Sequence, residues 1–139
     1  VIDMLGVCKL IFSWLFTSSM ETPAKMFSLA TGLDSSEDDL ITAAQRVRTL
    51  ERAFDVMTGI RRSNDTLPKR MFETAVPRGQ FKGERMDKEK FGKMVDEYYA
   101  LWGWDNEGIP KEDTFNKFGL SSEWQSFYKR MTKEGGAHG

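Results

Sequence analysis

The feature that most constrains this chain is a stretch of helical periodicity between Ser35 and Gly59. Its apolar residues recur at steps of three or four, the spacing that places them on one face of an α-helix. Ser35 or Ser36 can cap this helix, and the three acidic residues that follow complement the helix dipole. The apolar positions are Leu40, Ala44, Val47, Leu50, Phe54 and Met57.

Shorter helical patterns fill most of the remaining sequence, whereas the long alternating patterns typical of strands are missing. A connector that contains Pro and Gly, 60–85, lies between the helices predicted at 35–59 and 87–102. It is predicted to contain one helical turn after Pro68. We therefore predict an all-α fold, a single irregular helical bundle of about five to six helices. The predicted helices are 7–17, 22–30, 35–59, 87–102, 111–118 and 121–132, and 135–139 are predicted to form a disordered tail.

The apolar N-terminal run, 1–16, has the length of either a targeting segment or a buried helix. It lacks a basic leading region, Lys9 interrupts it, and it is shorter than the ~20 residues that span a bilayer. We expect it to be a buried segment with no membrane association. Its helix, 7–17, is centred on Leu10, Ile11, Trp14 and Leu15. The single cysteine, Cys8, has no disulfide partner within the chain, which fits a reducing, cytoplasmic compartment.

Charge is distributed unevenly along the chain. Residues 46–85 carry ten Lys or Arg and five Asp or Glu, whereas the whole chain has a net charge of −1. This near balance argues against a dedicated nucleic-acid binder. The basic segment can bind a phosphate or an acidic partner, but the favoured interpretation is that its arginines pair with acidic neighbours.

Two groups of residues admit both a functional and a structural interpretation, and the structural one is favoured for each. Arg52, Arg62, Asp65 and Arg70 can form a cofactor or partner site, but arginines readily brace loops through bidentate hydrogen bonds. Tyr98 and Tyr99 can form a proton relay, but a tyrosine on the apolar face of a helix is more often a core residue with a satisfied hydroxyl. The predicted apolar stripe is Phe91, Met94, Val95, Tyr98 and Trp102, and Trp102 and Trp104 are expected to be packing anchors.

The segment richest in chemistry is Asp3-Met4-Leu5-Gly6-Val7-Cys8. A carboxylate can accept hydrogen bonds from a heterocycle, and a glycine lets the backbone approach a ligand closely. A thiolate before a helix suits a soft metal, although a lone cysteine is more often a small buried hydrophobe. With one cysteine and one histidine, His138 near the C-terminal end, the chain alone cannot build a cysteine- or histidine-rich metal site.

Several further segments follow this motif in a characteristic order. DMLGVC at 3–8 is followed by LERAFDVMTGIRRSNDTLPKR at 50–70, FKG at 81–83 and DEYYALWGWDNEGIP at 96–110, and then by Gly119-Leu120. In this order and spacing, the sequence resembles the C-terminal part of the tungsten-dependent aldehyde ferredoxin oxidoreductase family. The resemblance extends over about residues 3–120.

The resemblance implies an oxidoreductase that acts on an aldehyde, oxo or acyl group. It implies that two pterins hold a tungsten or molybdenum ion and that a 4Fe-4S cluster lies beside this ion. It implies that Asp3 hydrogen-bonds a pterin, that the backbone at Gly6 and Val7 packs on the same pterin, and that Cys8 ligates the cluster. No catalytic residue is expected in this chain. The implied partners are the remaining N-terminal domains of the enzyme and ferredoxin or another electron-transfer subunit.

On this interpretation, 1–139 is the C-terminal helical domain of a longer enzyme, and the first residue, Val1, is consistent with an excised piece. In isolation the chain is expected to be inactive and to bind no cofactor. Its apolar N-terminal helix is then expected either to self-associate or to become mobile. The alternative is a stand-alone helical protein-interaction module with no catalysis. Such a module would bind its partner, or nucleic acid, with a marked salt dependence.

Overall fold

The computed structural model describes residues 1–10 and 19–134, and these residues form an all-α architecture, as predicted. Strand-like pairing within them is limited to an isolated antiparallel bridge between Trp104 and Pro110. None of the described helices is long and apolar enough to cross a lipid bilayer. The α-helices are α1 Glu21–Thr31, α2 Glu37–Met57, α3 Arg70–Glu73, α4 Lys88–Trp102, α5 Glu112–Lys117 and α6 Ser121–Glu134.

Two of the sequence predictions fall largely outside the described residues. The predicted N-terminal helix, 7–17, has its centre at Trp14 in the segment 11–18, which lies outside them, as does the predicted tail, 135–139. Leu10, at the described start of that helix, is 81% exposed. The described part of the chain therefore does not bury Leu10, in contrast to the prediction for this residue.

The start of α2 is set by a reciprocal pair of hydrogen bonds between Ser36 and Asp39. The backbone N–H of Asp39 donates to Oγ of Ser36 at 3.2 Å, and the backbone N–H of Ser36 donates to the Asp39 carboxylate at 2.9 Å. These bonds satisfy N–H groups that the first helical turn leaves without partners. The Ser36 hydroxyl also donates to the Asp39 carboxylate at 2.7 Å. This bond and the one from the Ser36 backbone N–H lower the pKa of Asp39, because both favour its ionised form.

The buried face of α2 differs from the predicted apolar stripe. Leu40 is buried as expected, but Leu50 and Phe54 are 39% and 62% exposed. The helices α5 and α6 pack against α2, and their positions, rather than the predicted apolar stripe, determine which residues of α2 are buried. Its other buried residues are Thr49, Arg52, Ala53 and Val56.

The hydrophobic core lies where α2, α5 and α6 meet. Phe115 of α5 is fully buried, and its ring centroid lies 5.5 Å from that of Phe127 and 5.3 Å from that of Trp124. Burial of apolar surface stabilises this junction by roughly 25 cal/mol for each Å² removed from water. The buried members of the core are Ala53, Val56, Phe115, Phe118, Leu120 and Phe127.

The buried side of α4 is also rotated from the predicted one. Tyr98 and Met94 are 40% and 55% exposed, whereas Tyr99 is only 3% exposed. The chain turns sharply after Trp102 and brings Trp104 back against Tyr99, with 5.7 Å between the ring centroids. The prediction of a packing anchor is confirmed for Trp104, which is buried, while Trp102 is half-buried.

The connector 60–85 has the predicted form. It contains a short 3-10 helix, Arg62–Asn64, and then the single helical turn α3, which begins two residues after Pro68. From residue 66 onward most of its side chains are exposed. Phe72 is half-buried and packs edge-on against Phe91 of α4, with 5.5 Å between the ring centroids.

Candidate functional site

The predicted cofactor motif, 3–8, is a hydrogen-bonded turn. The backbone N–H of Gly6 donates to the carbonyl oxygen of Asp3 at 3.1 Å, and that of Val7 donates to Ile2 at 3.3 Å. Gly6 has a φ of +69°, and no atom lies within 4 Å of the position that a Cβ would take. Glycine is therefore needed for the backbone conformation, and the open space at Gly6 leaves room for a ligand to approach.

The functional groups of this motif are accessible. The side chains of Asp3 and Cys8 are exposed, and Val7 is half-buried. An exposed carboxylate and an exposed thiol can each reach a ligand or another chain. Within 1–10 and 19–134, no three His, Cys, Asp or Glu side chains are grouped closely enough to hold a metal ion. Asp3 and Cys8 are therefore accessible on the surface of the described part of the chain.

The motif borders a groove that also involves α2 and α4. The groove has a volume of about 440 Å³, and its lining includes Asp3 and Met4 from the motif and Val47 and Arg48 from α2. Trp102, at the end of α4, completes this part of the lining. Trp102, which was expected only as a packing anchor, therefore lines the same groove as Asp3, the predicted cofactor-binding carboxylate.

A second polar cluster joins α2, the connector and the loop after α4. Arg52 is only 2% exposed, and its Nη1 and Nη2 donate to the two carboxylate oxygens of Asp65 at 3.1 and 2.6 Å. Its Nε donates to the carbonyl oxygen of Gly108 at 2.7 Å. The hydroxyl of Tyr99 donates to the same carboxylate. We call these four residues the arginine clamp, and its bidentate bond fixes the relative position of three segments.

The ionisation states of the clamp are complementary. Partial burial raises the pKa of Asp65, but the hydrogen bonds from Arg52 and Tyr99 outweigh burial and hold that pKa below its ordinary value. Burial and the adjacent Asp65 carboxylate raise the pKa of Tyr99 to about 12. At neutral pH the clamp therefore contains one guanidinium, one carboxylate and one neutral phenol.

Gly108 is required by the geometry of the clamp. Its φ is +76°, and a Cβ there would lie 2.9 Å from the hydroxyl oxygen of Tyr99 and closer still to Nη2 of Arg52. The carboxylate of Asp105 shapes the same loop by accepting two backbone N–H groups at 2.9 Å each. The loop is thus folded to present the carbonyl of Gly108 to Arg52.

Arg62 provides a second contact between the connector and α4. Its Nη1 lies 2.6 Å from Oδ1 of Asp96, and its guanidinium carbon lies 5.5 Å from the ring centroid of Tyr99. The favoured interpretation, structural bracing, is thus confirmed for Arg52, Arg62 and Asp65.

Arg70 does not belong to this group. It lies exposed on α3 and makes no salt bridge with the residues that the structure describes. Of the other two members of the clamp, Tyr99 is the predicted core tyrosine with a satisfied hydroxyl, whereas Gly108 was missed. The predicted stripe on α4 lay one residue away at Tyr98, and the turn-rich character of the loop after α4 did not identify the glycine that Arg52 needs.

Comparison with known proteins identifies the family. A family model described as "Aldehyde ferredoxin oxidoreductase, domains 2 & 3" matches residues 1–120. Tungsten-containing aldehyde ferredoxin oxidoreductases from Pyrococcus horikoshii and Pyrococcus abyssi are 34% identical over 121 residues and 32% identical over 124 residues. Each match covers 86% of this chain and 19% of the relative, so the chain spans about a fifth of the length of these curated relatives.

A relative that matches a shorter part of the chain and a solved structure agree with this family assignment. The aliphatic sulfonate oxidoreductase, WOR-like subunit, of Pyrococcus furiosus is 33% identical over 89 residues, which is 64% of this chain and 14% of that protein. The active site complex BamBC of benzoyl coenzyme A reductase with 1,5-dienoyl-CoA superimposes with a TM-score of 0.66 at 29% identity, over 83% of this chain and 16% of that one. The chain belongs to the aldehyde ferredoxin oxidoreductase family, which confirms the resemblance found in its sequence.

Proposed function

We propose that this chain is part of a tungsten–pterin, iron–sulfur oxidoreductase, to which it contributes a pterin-contacting segment and one cluster ligand. The observation that carries the proposal is the exposure of Asp3 and Cys8 on one glycine-dependent turn, within the region that the family model matches. Asp3 accepts hydrogen bonds from ring N–H groups of a pterin, and the backbone at Gly6 and Val7 packs against the same ring. Cys8 binds iron through its thiolate.

In this proposal, 1–139 acts as the C-terminal helical domain, and the remaining cluster ligands and the catalytic groups come from the other domains of the enzyme. A 4Fe-4S cluster requires four protein ligands, of which this chain offers one thiolate, Cys8. The bound tungsten–pterin unit supplies the bond chemistry, while the residues of this chain bind and orient it. A reducing, cytoplasmic location fits an exposed free thiol.

The names of the relatives set the proposed range of substrates. They refer to an aldehyde, to an aliphatic sulfonate and to a coenzyme A derivative. We therefore propose a two-electron oxidation or reduction of an aldehyde, oxo or acyl group. Electrons are exchanged through the cluster with ferredoxin or another electron-transfer subunit.

The purified chain provides the first test. After anaerobic reconstitution with iron and sulfide, iron and acid-labile sulfide are measured per monomer. We expect neither to reach a stoichiometric amount, since a single thiolate does not retain a four-iron cluster. A stoichiometric, stable cluster on the isolated chain would contradict the proposed division of ligands.

The complete enzyme provides the second test, with iron, tungsten and pterin measured in purified variants. Cys8→Ser is expected to lower the iron content and alter the electron paramagnetic resonance spectrum of the cluster, while Asp3→Asn is expected to lower pterin retention. Asp34→Asn is the matched control, because Asp34 is also an exposed carboxylate but lies outside the motif. Unchanged iron in Cys8→Ser would exclude Cys8 as a ligand.

A second candidate, a stand-alone interaction module, is favoured by the exposure of large apolar side chains on and after α1. Leu29 and Leu33 are 80% and 60% exposed, and such residues often mark contact surfaces. In that case, substitutions of Asp3 and Cys8 would leave the metal content of the purified protein unchanged. The same metal analysis therefore separates the two candidates.

A further inference from the structure

A concentration of positive charge lies around α3 and the part of the connector that follows it. Residues 66–88 carry six Lys or Arg and three Asp or Glu. Three of these cations, Lys69, Arg85 and Lys88, line one groove of about 690 Å³. Arg78 and Lys82 lie on the exposed loop that precedes Arg85 in the chain, and we call these five exposed cations of segment 69–88 the basic face.

The charges of the basic face are not neutralised within the described structure. Sequence reasoning favoured pairing of the arginines with acidic neighbours, and Arg48, Arg52 and Arg62 do form ion pairs, at 3.4, 2.6 and 2.6 Å. Across 1–10 and 19–134, by contrast, no carboxylate lies within salt-bridge distance of any of the five cations of the basic face. The pairing prediction is therefore wrong for this part of the segment.

Two carboxylates also line the groove, but one of them is already engaged. Oδ1 of Asp87 accepts the backbone N–H groups of Glu89 and Lys90 at 2.9 and 3.0 Å and so caps α4. Glu73 is the other carboxylate of the groove. The five cations of the basic face thus still outnumber these two carboxylates, Asp87 and Glu73.

The loop that carries Arg78 and Lys82 has a defined backbone conformation. Its ends are joined by a hydrogen bond from the N–H of Val76 to the carbonyl oxygen of Glu84 at 2.8 Å. Phe81, between the two cations in sequence, is 57% exposed. A loop that is already closed loses less conformational entropy on binding, and an exposed aromatic side chain among charges can be buried by a partner.

We propose that the basic face docks a separate, acidic protein in a transient, salt-sensitive complex. Exposed charges that flank an exposed aromatic residue in sequence suit an interface in which electrostatic attraction steers association. Permanent interfaces are more apolar, and a more suitable surface for them lies at α1, around Leu29. The net charge of −1 argues against a dedicated nucleic-acid binder, so the proposed occupant is an acidic protein. This docking does not depend on the cofactor roles of Asp3 and Cys8.

The test measures binding of the purified chain to poly-L-glutamate, as a probe of acidic protein surfaces, and to duplex DNA of similar charge. We expect poly-L-glutamate to bind more tightly than DNA, with an affinity that falls about tenfold as salt rises from ~0.02 to ~0.3 M. The paired charge reversals Arg78→Glu and Lys82→Glu are expected to weaken binding about tenfold. The control pair Lys25→Glu and Lys129→Glu changes the net charge equally at exposed sites elsewhere and is expected to weaken binding less than about twofold.

Two results would overturn the proposal. Tighter binding of DNA would assign the face to nucleic acid, and an equal loss in both variant pairs would show that net charge alone is responsible. A nuclear magnetic resonance titration of the unsubstituted chain with poly-L-glutamate is independent of any folding defect in the variants. The shifted resonances are expected to cluster at 69–88, and shifts that cluster elsewhere would also overturn the proposal.

Discussion

Arg52 and Asp65 are joined by two hydrogen bonds that hold the connector against α2. The side chain of Arg52 is 3% exposed and that of Asp65 is 30% exposed. Because a guanidinium does not lose its proton in a protein, the carboxylate must stay ionised to balance the charge. The third bond of Arg52, to the carbonyl of Gly108, extends the same constraint to the loop after α4.

Replacing Arg52 should therefore destabilise the fold more than replacing another arginine of α2. Arg52→Met leaves Asp65 and the carbonyl of Gly108 without their partner, and we expect the free energy of unfolding to fall by about 2–3 kcal/mol. Arg52→Lys should restore only part of this, because an ammonium cannot reproduce the bidentate bond. Urea denaturation measures the effect, with Arg46→Met as the exposed control, expected within about 0.5 kcal/mol of the original chain. Equal losses in the Arg52→Met and Arg46→Met variants would refute the role of the clamp.

Gly108→Ala tests the steric requirement of the clamp. The new methyl group would collide with Arg52 and Tyr99 in addition to straining a backbone with a φ of +76°. We expect a loss of more than about 2 kcal/mol, compared with about 1 kcal/mol for Gly119→Ala. Gly119 is a matched control because its φ is +67° and nothing lies within 4 Å of its Cβ position. The difference between the two variants in thermal or urea unfolding isolates the collision, and similar losses would argue against it.

Acidification should weaken the bond between Asp65 and Arg52. The pKa of Asp65 is lower in the folded state than its ordinary value of 3.8, so the stabilisation is complete above that value and is lost as pH falls through the folded pKa. Asp65→Asn should therefore be less stable than the original chain at neutral pH, and the gap should narrow as the pH falls below 3.8. Denaturant midpoints of both proteins, measured across this pH range, test the prediction. A difference in stability that stays constant with pH would show that the carboxylate is unimportant.

Alkaline titration should identify Tyr99. Its folded pKa of about 12 exceeds the ordinary value of 10.0, so its contribution is fully present below pH 10 and is lost as pH rises through 12. Tyrosinate absorbance should show one late-titrating group that Tyr99→Phe removes, together with a loss of about 1 kcal/mol of stability. Tyr128→Phe replaces a tyrosine that is 53% exposed and should retain the late step. Loss of that step in both variants would contradict the assignment.

The helices were predictable from sequence because the signals that begin them are local. Ser36 and Asp39, which cap α2, are three residues apart, so their pairing is visible without tertiary structure. The buried face of α2 was not predictable in the same way. Arg52 is buried there because Asp65 and Gly108, from other parts of the chain, supply its hydrogen-bond partners.

The same distinction applies to the candidate site. The residues of the motif, Asp3 to Cys8, are contiguous, so their chemistry is apparent in the sequence, and the structure adds their exposure and the conformation of Gly6. Trp102 and Arg48 reach the groove beside Asp3 from separate helices. Such a meeting depends on how α2 and α4 pack, which periodicity alone does not specify.

Self-association of the isolated chain tests the role of the apolar side chains at α1. Leu29 and Leu33 are largely exposed, and exposed apolar groups of this size favour association. The pair Leu29→Ser and Leu33→Ser should lower the mass measured by light scattering without lowering the free energy of unfolding. Leu40→Ser is the matched control, because Leu40 is 3% exposed and its replacement should cost about 3 kcal/mol. A chain that is monomeric before substitution, or a double variant that associates as before, would show that these leucines do not drive association.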